Sequence, residues 1–207
     1  MKIVLNKISK KYKRETIFKG VDYTFESGCS YVIKGSNGSG KSTLLSILSG
    51  STLPSSGTLN YINKKEEAIS QELFYQEVSV AAPYLELIEE YELKEFVDFY
   101  RKFKTLRDHI DTKKLIEICY LEKSSKKQIK FFSSGMKQRL RLALAILSDT
   151  KILLLDEPIS NLDQKGIEWY GKLIKTHASN RVIIVCSNNL EQEHFFCTHE
   201  IIMEDYK

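Results

Sequence analysis

Three glycines, a lysine and a serine stand close together in GSNGSGKS, which runs from Gly35 to Ser42. The spacing matches G-x-x-x-x-G-K-[ST], a string that chance places in a chain of this length only about once in a hundred sequences. Gly35, Gly38 and Gly40 allow positive φ angles, so successive backbone N–H groups can surround phosphate oxygens. Lys41 adds a charge for the β and γ phosphates, and the Ser42 hydroxyl can bind Mg²⁺. The stretch therefore predicts a phosphate-binding loop.

Two carboxylates later in the chain could complete the chemistry that such a loop begins. Asp156 and Glu157 directly follow the apolar residues Ile152 to Leu155. This kind of apolar run is typical of a buried parallel strand, and ligands bind at the carboxyl ends of such strands. We expect Asp156 to face Mg²⁺ through a water and Glu157 to polarise an attacking water. Because phosphoryl transfer requires these parts together, the two stretches indicate that reaction.

A serine–glycine turn lies between these two stretches. Ser133 and Gly135 precede a segment from Met136 to Leu147 in which leucines recur at helical spacing. The N-terminus of a helix favours anions, so this turn is a second anion-binding device. A single nucleotide does not need two such devices far apart. We therefore expect two chains to sandwich two nucleotides in a two-fold dimer.

Hydrophobic periodicity indicates the elements that must position these residues. Tyr31 to Ile33 form a β-rich run before the phosphate loop, and a helical pattern follows it at Leu44, Leu45, Ile47 and Leu48. The stretch RVIIVC indicates another strand. Apolar residues recur at helical spacing from Glu92 to Lys104, and DTKKLIEICYL indicates a further short helix. Most of the aromatic residues between Glu92 and Lys104 are expected to be core.

Composition limits the class of protein. A chain of 207 residues is long enough for one domain of generous size with a buried core. Hydrophobic residues make up 42% and charged residues 28%, which excludes disordered and collagen-like proteins. No apolar run approaches the roughly 18 residues that span a bilayer, and the N-terminal apolar segment is too short for a secretory signal. We expect a cytoplasmic protein.

Charge and cysteine usage indicate no further ligand. The net charge of +4 is modest and the basic clusters are short, so they are interpreted as solvated surface, and no nucleic-acid partner is expected. The four cysteines show no C-x-x-C spacing. We expect reduced thiols rather than disulfides or a metal site at Cys29, Cys119, Cys186 and Cys197.

In order and spacing, these motifs resemble those of the ATP-binding cassette (ABC) ATPases over nearly the whole chain. GSNGSGKST is similar to the family's Walker A motif, FSSGM to its signature turn, ILLLDEP to its Walker B motif and SNLD to its D-loop. The resemblance implies ATP and Mg²⁺ as ligands, with Lys41, Glu157 and Asn188 in catalysis and with Ser42 and Asp156 at the metal. The residues that it assigns to ATP are Tyr12, which would stack on adenine, and Gly35, Ser36, Asn37, Gly38, Ser39, Gly40, Lys41, Ser42, Thr43, Ser133, Ser134, Gly135 and Asp163.

The resemblance also implies a fold and partners. The fold would be α/β, a P-loop NTPase core with a parallel sheet, an N-terminal antiparallel β part and an inserted helical subdomain at roughly 84–147, together forming a single domain over 1–207. The chain would pair with a second cassette and drive an integral membrane permease on a separate chain. It would then lie at the inner face of the membrane. Some of four residues are expected to be exposed toward that permease: Tyr84, Leu85, Leu87 and Tyr91.

Two positions depart from the family's pattern. Ala82 and Pro83 stand where the family carries a glutamine that binds Mg²⁺ and water, and Asn188 stands where it carries a histidine. An asparagine still donates a neutral hydrogen bond to a γ-phosphate, but it cannot become cationic, so we expect slower hydrolysis rather than none. Alternatively, Asn188 is a structural residue that caps a helix beginning near Leu190.

Three functions remain open from the sequence. The leading one is the ATP-hydrolysing subunit of an ABC transporter. The others are a soluble ABC ATPase that acts on nucleic acid or ribosomes, and a switch that clamps ATP but hydrolyses it slowly. A P-loop GTPase is disfavoured because the chain contains no N-K-x-D string for guanine. The transported substrate, the direction of transport and the identity of the membrane partner are not encoded in these motifs.

Overall fold

A computed structural model describes residues 1–207 of the chain, apart from the side chain at position 71. These residues divide into two compact units. The first contains Met1–Val80, Thr150–Glu157 and Asn180–Lys207, and the second contains Ala81–Asp149 and Pro158–Ser179. The second unit therefore includes residues 158–179 in addition to the segment 84–147 that the sequence marks as a helical insert.

The first unit contains an antiparallel sheet. Its strands are β1 (Lys2–Tyr12), β2 (Glu15–Glu26) and β4 (Ser56–Ile62), in the order β2-β1-β4. The first two form a hairpin in which Tyr12 pairs with Glu15. The alternation of apolar residues along β1 turns Ile3 and Leu5 to one face, where both are buried. This sheet is the antiparallel part that the resemblance implies.

A second sheet has five strands in the order β5-β6-β7-β3-β8. They are β3 (Ser30–Lys34), β5 (Val78–Ala81), β6 (Ile152–Asp156), β7 (Val182–Ser187) and β8 (His199–Ile202). Three pairings, β6 with β7, β7 with β3 and β3 with β8, are parallel. Every residue of β6 and β7 is buried, as expected for apolar strands covered on both faces. The predicted strands before the phosphate loop and before Asp156 are confirmed.

Parallel pairing brings the carboxyl ends of three strands to one edge of this sheet. The phosphate loop follows β3, Glu157 follows β6, and Asn188 follows β7. The first unit also contains the helices α1 (Lys41–Leu48), α2 (Gln71–Phe74) and α7 (Glu191–His194). The predicted helix after the loop is α1, and all four of its predicted apolar residues are buried. Its packing in the core fixes the direction in which the loop leaves the sheet.

The second unit contains the other helices, α3 (Leu93–Tyr100), α4 (Thr112–Ile118), α5 (Ser134–Leu147) and α6 (Gln164–His177). Helices were predicted at the first three of these places. The helix α5 begins at Ser134, earlier than the predicted Met136, because the Ser133 side chain accepts the N–H of Met136 and caps it. Helix α3 ends before Phe103, whose side chain is 60% exposed. Phe103 is therefore not a core residue, although most of the aromatic residues in this segment were expected to be core.

The four residues expected to face a membrane partner differ in exposure. Tyr84 and Leu85 are exposed, at 50% and 40%, and Tyr91 is half-buried. Leu87 is only 9% exposed, so its inclusion as a candidate surface residue is wrong. Apolar character alone does not distinguish a residue that packs inward from a neighbour that faces solvent. Leu85 and Tyr84 remain candidates for that surface.

The four cysteines are free, with Cys119 and Cys186 buried and the other two half-buried. Over the described residues, no helix combines the length and the apolar character needed to cross a bilayer.

Candidate nucleotide site

The phosphate loop is shaped by glycines with positive φ. Gly35 has φ 152°, and Gly40, which directly precedes α1, has φ 104°. A Cβ at Gly40 would lie 2.9 Å from Ile17 Cγ2 and 3.0 Å from Phe18 Cδ1, so both the backbone conformation and the neighbours exclude a side chain there. The loop can therefore run directly into the first turn of α1 with its backbone close to the core.

The start of α1 carries backbone donors that a phosphate can use. No described side chain caps this helix, and no acidic residue lies in its first turn. The orphan N–H groups and the helix dipole together favour an anion at this point. The hydroxyl of Ser39, in the loop, is buried and has no hydrogen-bond partner among the described residues. These groups fit a phosphate-bearing ligand.

Lys41, the first residue of α1, is buried against the loop, with 5% exposure. Its Nζ donates to the carbonyl oxygens of Gly35 and Ser36, at 2.7 Å and 3.1 Å, and to Asn188 Oδ1 at 2.6 Å. A buried ammonium requires such acceptors, because its desolvation is otherwise unfavourable. The loop carbonyls and Asn188 thus hold the charge in place.

Asp156 ends β6 and is 2% exposed. It accepts a hydrogen bond from the Ser42 side chain, whereas its Oδ1 atom has no hydrogen-bond partner among the described residues. Burial is the main cause that raises the pKa of Asp156 above its usual value, and the nearby Glu157 raises it further. Ser42 and Lys41 act in the opposite direction. A divalent cation at Oδ1 would favour the charged carboxylate, so Asp156 and Ser42 fit the Mg²⁺ that the motifs imply.

Glu157 lies at a strained point of the backbone. Its φ is +44°, uncommon for a residue with a side chain, and its N–H donates to the carbonyl oxygen of Cys186 at 3.0 Å. Its Oε1 accepts from Asn188 Nδ2 at 2.6 Å. Backbone conformations of this kind occur preferentially at functional sites, where the surrounding structure holds them.

Asn188 links the two charged groups of the site. Its Oδ1 accepts from Lys41 and its Nδ2 donates to Glu157, and these partners fix the orientation of the amide because lysine only donates and a carboxylate only accepts. The alternative role as a helix cap is wrong. The residue that precedes α7 is Leu190, whose N–H donates to Ser187 Oγ at 3.2 Å.

The signature turn and the D-loop residue lie in the second unit, where both act at helix N-termini. Ser133 caps α5, and Ser134 and Gly135 form its first turn. A Cβ at Gly135 would lie 3.0 Å from the carbonyl oxygen of Asn161, so this turn is closely packed. Asp163 caps α6 and accepts the N–H of Gly166 at 2.8 Å.

Other predicted site residues lie on the first unit. Tyr12 ends β1 and is 50% exposed, with Lys10 Nζ at 4.7 Å from its ring centroid. Ser36, Asn37 and Thr43 belong to the loop and the first turn of α1. Two contacts to the loop were not predicted: Glu204 accepts from the backbone N–H of Ser36, and Lys207 Nζ donates to the carbonyl oxygen of Gly38. No local pattern in HEIIMEDYK signals these contacts.

Ala82, which the resemblance matches to the family's glutamine, is 1% exposed. A buried methyl group offers no ligand to a metal or to water. The side chain at this position therefore cannot bind Mg²⁺ or water as a glutamine could.

Comparisons with known proteins agree with this geometry. The sequence model of the family described as ABC transporter matches residues 18–160. The uncharacterised ABC transporter ATP-binding protein YybJ of Bacillus subtilis is 33% identical over 92% of this chain and 92% of its own length. The Nod factor export ATP-binding protein I of Burkholderia lata is 28% identical over 96% of this chain, which spans 66% of that relative.

Solved structures share the fold. An ATP-binding subunit of an ABC transporter superposes with a TM-score of 0.82 at 20% identity, covering 98% of this chain and 85% of that one. The dimeric bacterial ABC transporter cassette MJ0796 superposes with a TM-score of 0.79 at 21% identity, covering 97% and 94%. The chain therefore belongs to the ABC transporter family, as an ATP-binding subunit.

Proposed function

We propose that this chain hydrolyses ATP at the edge of the parallel sheet where Lys41, Glu157 and Asn188 meet. The observation that carries the proposal is the pair of hydrogen bonds through which Asn188 joins the phosphate-loop lysine to the carboxylate of Glu157. A phosphate-binding charge and a general base are thereby held together. Such positioning is the main contribution that a protein makes to phosphoryl transfer.

The phosphate loop and α1 would bind the triphosphate. The N–H groups in the first turn of α1 have no side-chain cap and would bind phosphate oxygens, and Lys41 would supply the charge for the β and γ phosphates. Tyr12 is exposed enough to stack on a base, a contact that any purine face satisfies. Together these groups bind the nucleotide and fix its orientation.

Asp156 and Ser42 would hold Mg²⁺, directly or through water. When bound, the metal neutralises charge that develops on the phosphate oxygens. Asp156 supplies a buried carboxylate oxygen that has no hydrogen-bond partner among the described residues, and Ser42 supplies a hydroxyl beside it. The same cation would offset the unfavourable free energy of burying the Asp156 charge.

Glu157 would accept a proton from the attacking water, and Asn188 would keep it in place. Because an amide carries no charge, Asn188 holds both partners without changing its protonation state across the physiological pH range. It also cannot act as a cationic donor to a γ-phosphate, a role in which a charged hydrogen bond contributes more than a neutral one. This favours slower turnover than in cassettes that have histidine there.

Two such chains, or this chain and a second cassette, would enclose the nucleotides. The capped N-terminus of α5, with Ser133, Ser134 and Gly135, is an anion-binding device that the phosphate loop of the same chain does not require. Its natural ligand is the γ-phosphate bound to another chain. Asp163 caps α6 two residues after Asn161, whose carbonyl oxygen packs against Gly135, and would contact the partner at the same interface.

The chain would drive an integral membrane permease on a separate polypeptide and lie at the inner face of the membrane. Exposed apolar residues in the second unit, Tyr84, Leu85 and Ile88, support a protein partner there. A second candidate function, an ATP-dependent switch with little turnover, is favoured by the neutral Asn188 and by the buried methyl group of Ala82. The two functions differ in the rate of ATP hydrolysis.

The Glu157→Gln variant tests the proposed reaction. The glutamine keeps the size of the side chain but cannot accept the proton, so turnover should fall at least about hundredfold while ATP binding persists. Steady-state phosphate release and calorimetric titration with Mg-ATP measure the two quantities. Size-exclusion chromatography of the same variant should reveal an ATP-dependent dimer. Wild-type turnover in the variant would refute Glu157 as the base, and binding without turnover in the wild type would favour the switch.

A further inference from the structure

Glu204 contacts the phosphate loop from a distant part of the sequence. Its Oε1 accepts from the backbone N–H of Ser36 at 2.7 Å and from the Ser36 hydroxyl at 2.9 Å, across 168 positions. A Cβ at Gly35 would lie 2.8 Å from Glu204 Oε2. The carboxylate therefore lies directly against the first two residues of the loop.

Sheet register explains how the two segments meet. β8 pairs in parallel with β3, with Lys34 opposite Ile202. Ser36 lies two residues after Lys34, and Glu204 lies two residues after Ile202. The contact between Ser36 and Glu204 therefore continues the alignment of the two strands past their ends. Met203, between Ile202 and Glu204, is buried in the core and fixes the intervening turn.

The contact lies on the side of the Gly35–Ser36 peptide opposite Lys41. Lys41 Nζ donates to the carbonyl oxygen of Gly35, and Glu204 accepts the N–H of Ser36 in the same peptide group. The described part of the chain contains no cis peptide bond, so this carbonyl and this N–H point in opposite directions. Glu204 is thus placed outside the loop and does not occupy the side on which Lys41 meets phosphates.

Two further observations support a stable contact. The Ser36 N–H, followed by the Ser36 hydroxyl, lowers the pKa of Glu204, which means that the contact favours the charged carboxylate. Lys207 Nζ also donates to the carbonyl oxygen of Gly38 at 3.1 Å. The segment after β8 therefore contacts the loop at two points.

We propose that Glu204 is a positioning residue that holds the phosphate loop in its phosphate-binding conformation from the outer side. This inference rests on the proposed nucleotide site. With the Gly35–Ser36 peptide held by Lys41 on one side and by Glu204 on the other, the glycine-rich loop samples fewer conformations before ATP binds. Glu204 therefore strengthens ATP binding without touching ATP, and it has little effect on the reaction at saturating ATP.

The test compares Glu204→Ala, Glu204→Gln and Asp205→Asn, the last being an exposed neighbouring carboxylate that has no hydrogen bond or ion pair with the described loop residues. Calorimetric titration with the non-hydrolysable analogue AMP-PNP should give a Kd raised roughly three- to tenfold for Glu204→Ala. Glu204→Gln keeps an acceptor oxygen and should recover most of the affinity. Asp205→Asn should bind as the wild type does. In steady-state assays Glu204→Ala should raise KM with little change in kcat.

Amide hydrogen exchange separates this inference from the proposed function. In the protein without nucleotide, the Ser36 amide should exchange faster in Glu204→Ala than in the wild type and in Asp205→Asn. Unchanged exchange, or a Kd within about twofold of the wild type, would overturn the role of Glu204. A wild-type protein that does not bind AMP-PNP would instead overturn the proposed nucleotide site. If Glu204→Ala does not fold, Glu204→Lys takes its place in the exchange experiment. An unchanged Ser36 exchange rate in Glu204→Lys would likewise overturn the role of Glu204.

Discussion

Asn188 is bonded at once to the lysine of the phosphate loop and to the carboxylate of Glu157. Each bond involves a charged partner, and hydrogen bonds to charged groups contribute more than neutral ones, about 1.5–3 kcal/mol. A single amide can satisfy both partners because it is donor and acceptor at opposite ends. At the scale of one residue, Asn188 therefore controls the relative placement of the two groups.

Replacing Asn188 with alanine should lower turnover about tenfold, because Glu157 loses its donor and Lys41 loses one acceptor. ATP affinity should change little, since the loop carries most of that binding. A histidine can also accept at one nitrogen and donate at the other, so Asn188→His should keep or raise turnover. Asn60→Ala, at an exposed position on β4, is the control in steady-state ATPase assays. Unaltered turnover in Asn188→Ala would refute the role.

Asp156 should limit stability in the absence of its ligands. Burial raises its pKa, so the folded state disfavours the charged form relative to the unfolded chain. Asp156→Asn should raise the melting temperature at pH 7 without Mg²⁺ or nucleotide, by roughly 2–4 °C per kcal/mol recovered, and abolish Mg²⁺-dependent turnover.

The sign of the pH dependence follows from the raised pKa. Above the folded pKa the wild type carries the buried charge, and the asparagine variant is the more stable protein. As pH falls through that pKa the wild-type acid becomes protonated in the fold, so the difference in melting temperature should shrink. Asp205→Asn, the control, should change neither the melting temperature at pH 7 nor its dependence on pH. A lower melting temperature for Asp156→Asn at pH 7 would contradict the prediction.

At the scale of elements, the site depends on how three strands end and one helix begins. The carboxyl ends of β3, β6 and β7 share an edge, and the loop enters α1 through Gly40, whose φ of 104° and close neighbours leave no room for a side chain. The strand–loop–helix unit therefore tolerates no Cβ at that joint, whereas Gly20, Gly28 and Gly38 also have positive φ but open surroundings.

Gly40→Ala and Gly20→Ala form a matched pair. Gly20 also has positive φ, +71°, but a Cβ there meets nothing within 4 Å. Gly20→Ala should cost only the backbone term, about 1–2 kcal/mol, whereas Gly40→Ala adds contacts with Ile17 and Phe18 and should cost more. Urea unfolding measures the two stabilities, and titration with ATP should detect binding lost only in Gly40→Ala. Equal losses of stability in the two variants would mean that Ile17 and Phe18 move away from the added methyl group without an energetic cost.

At the scale of the whole molecule, a cassette acts through its partners, and the proposed sites for partners lie on the surface of the second unit. The capped N-terminus of α5 is proposed to meet a second nucleotide, and the exposed Tyr84 and Leu85 are proposed to meet a membrane subunit. Leu87 lies close in sequence but is buried. This difference supplies a pair of substitutions that separates docking from folding.

Leu85→Asp should leave the melting temperature nearly unchanged, since surface substitutions are usually within about 0.5 kcal/mol, and should release the chain from its membrane partner. Leu87→Asp buries an unpaired charge and should destabilise the protein by several kcal/mol. Thermal unfolding and co-purification from detergent-solubilised membranes measure the two effects. Full retention of the membrane partner by Leu85→Asp would exclude Leu85 from the docking surface.

Local sequence is enough to specify many of the elements of this protein. The strand before the phosphate loop, the buried strand before Asp156 and the helices α1, α4 and α5 follow from apolar periodicity, which depends on neighbours a few positions apart. The glycine spacing from Gly35 to Gly40 likewise specifies the loop without reference to the rest of the chain. Local capping decided the start of α5, which lies at Ser134 and which periodicity placed too late, at Met136.

Which distant residues meet depends on the folded chain. The bonds of Asn188 to Lys41 and Glu157 require β6, β7 and β3 to be neighbours, and the contact of Glu204 with Ser36 requires the register between β8 and β3. The burial of Leu87 beside the exposed Leu85 depends on packing in the second unit. No local pattern encodes these hydrogen bonds, because their partners lie 31 to 168 positions apart in the sequence and meet only once the chain has folded.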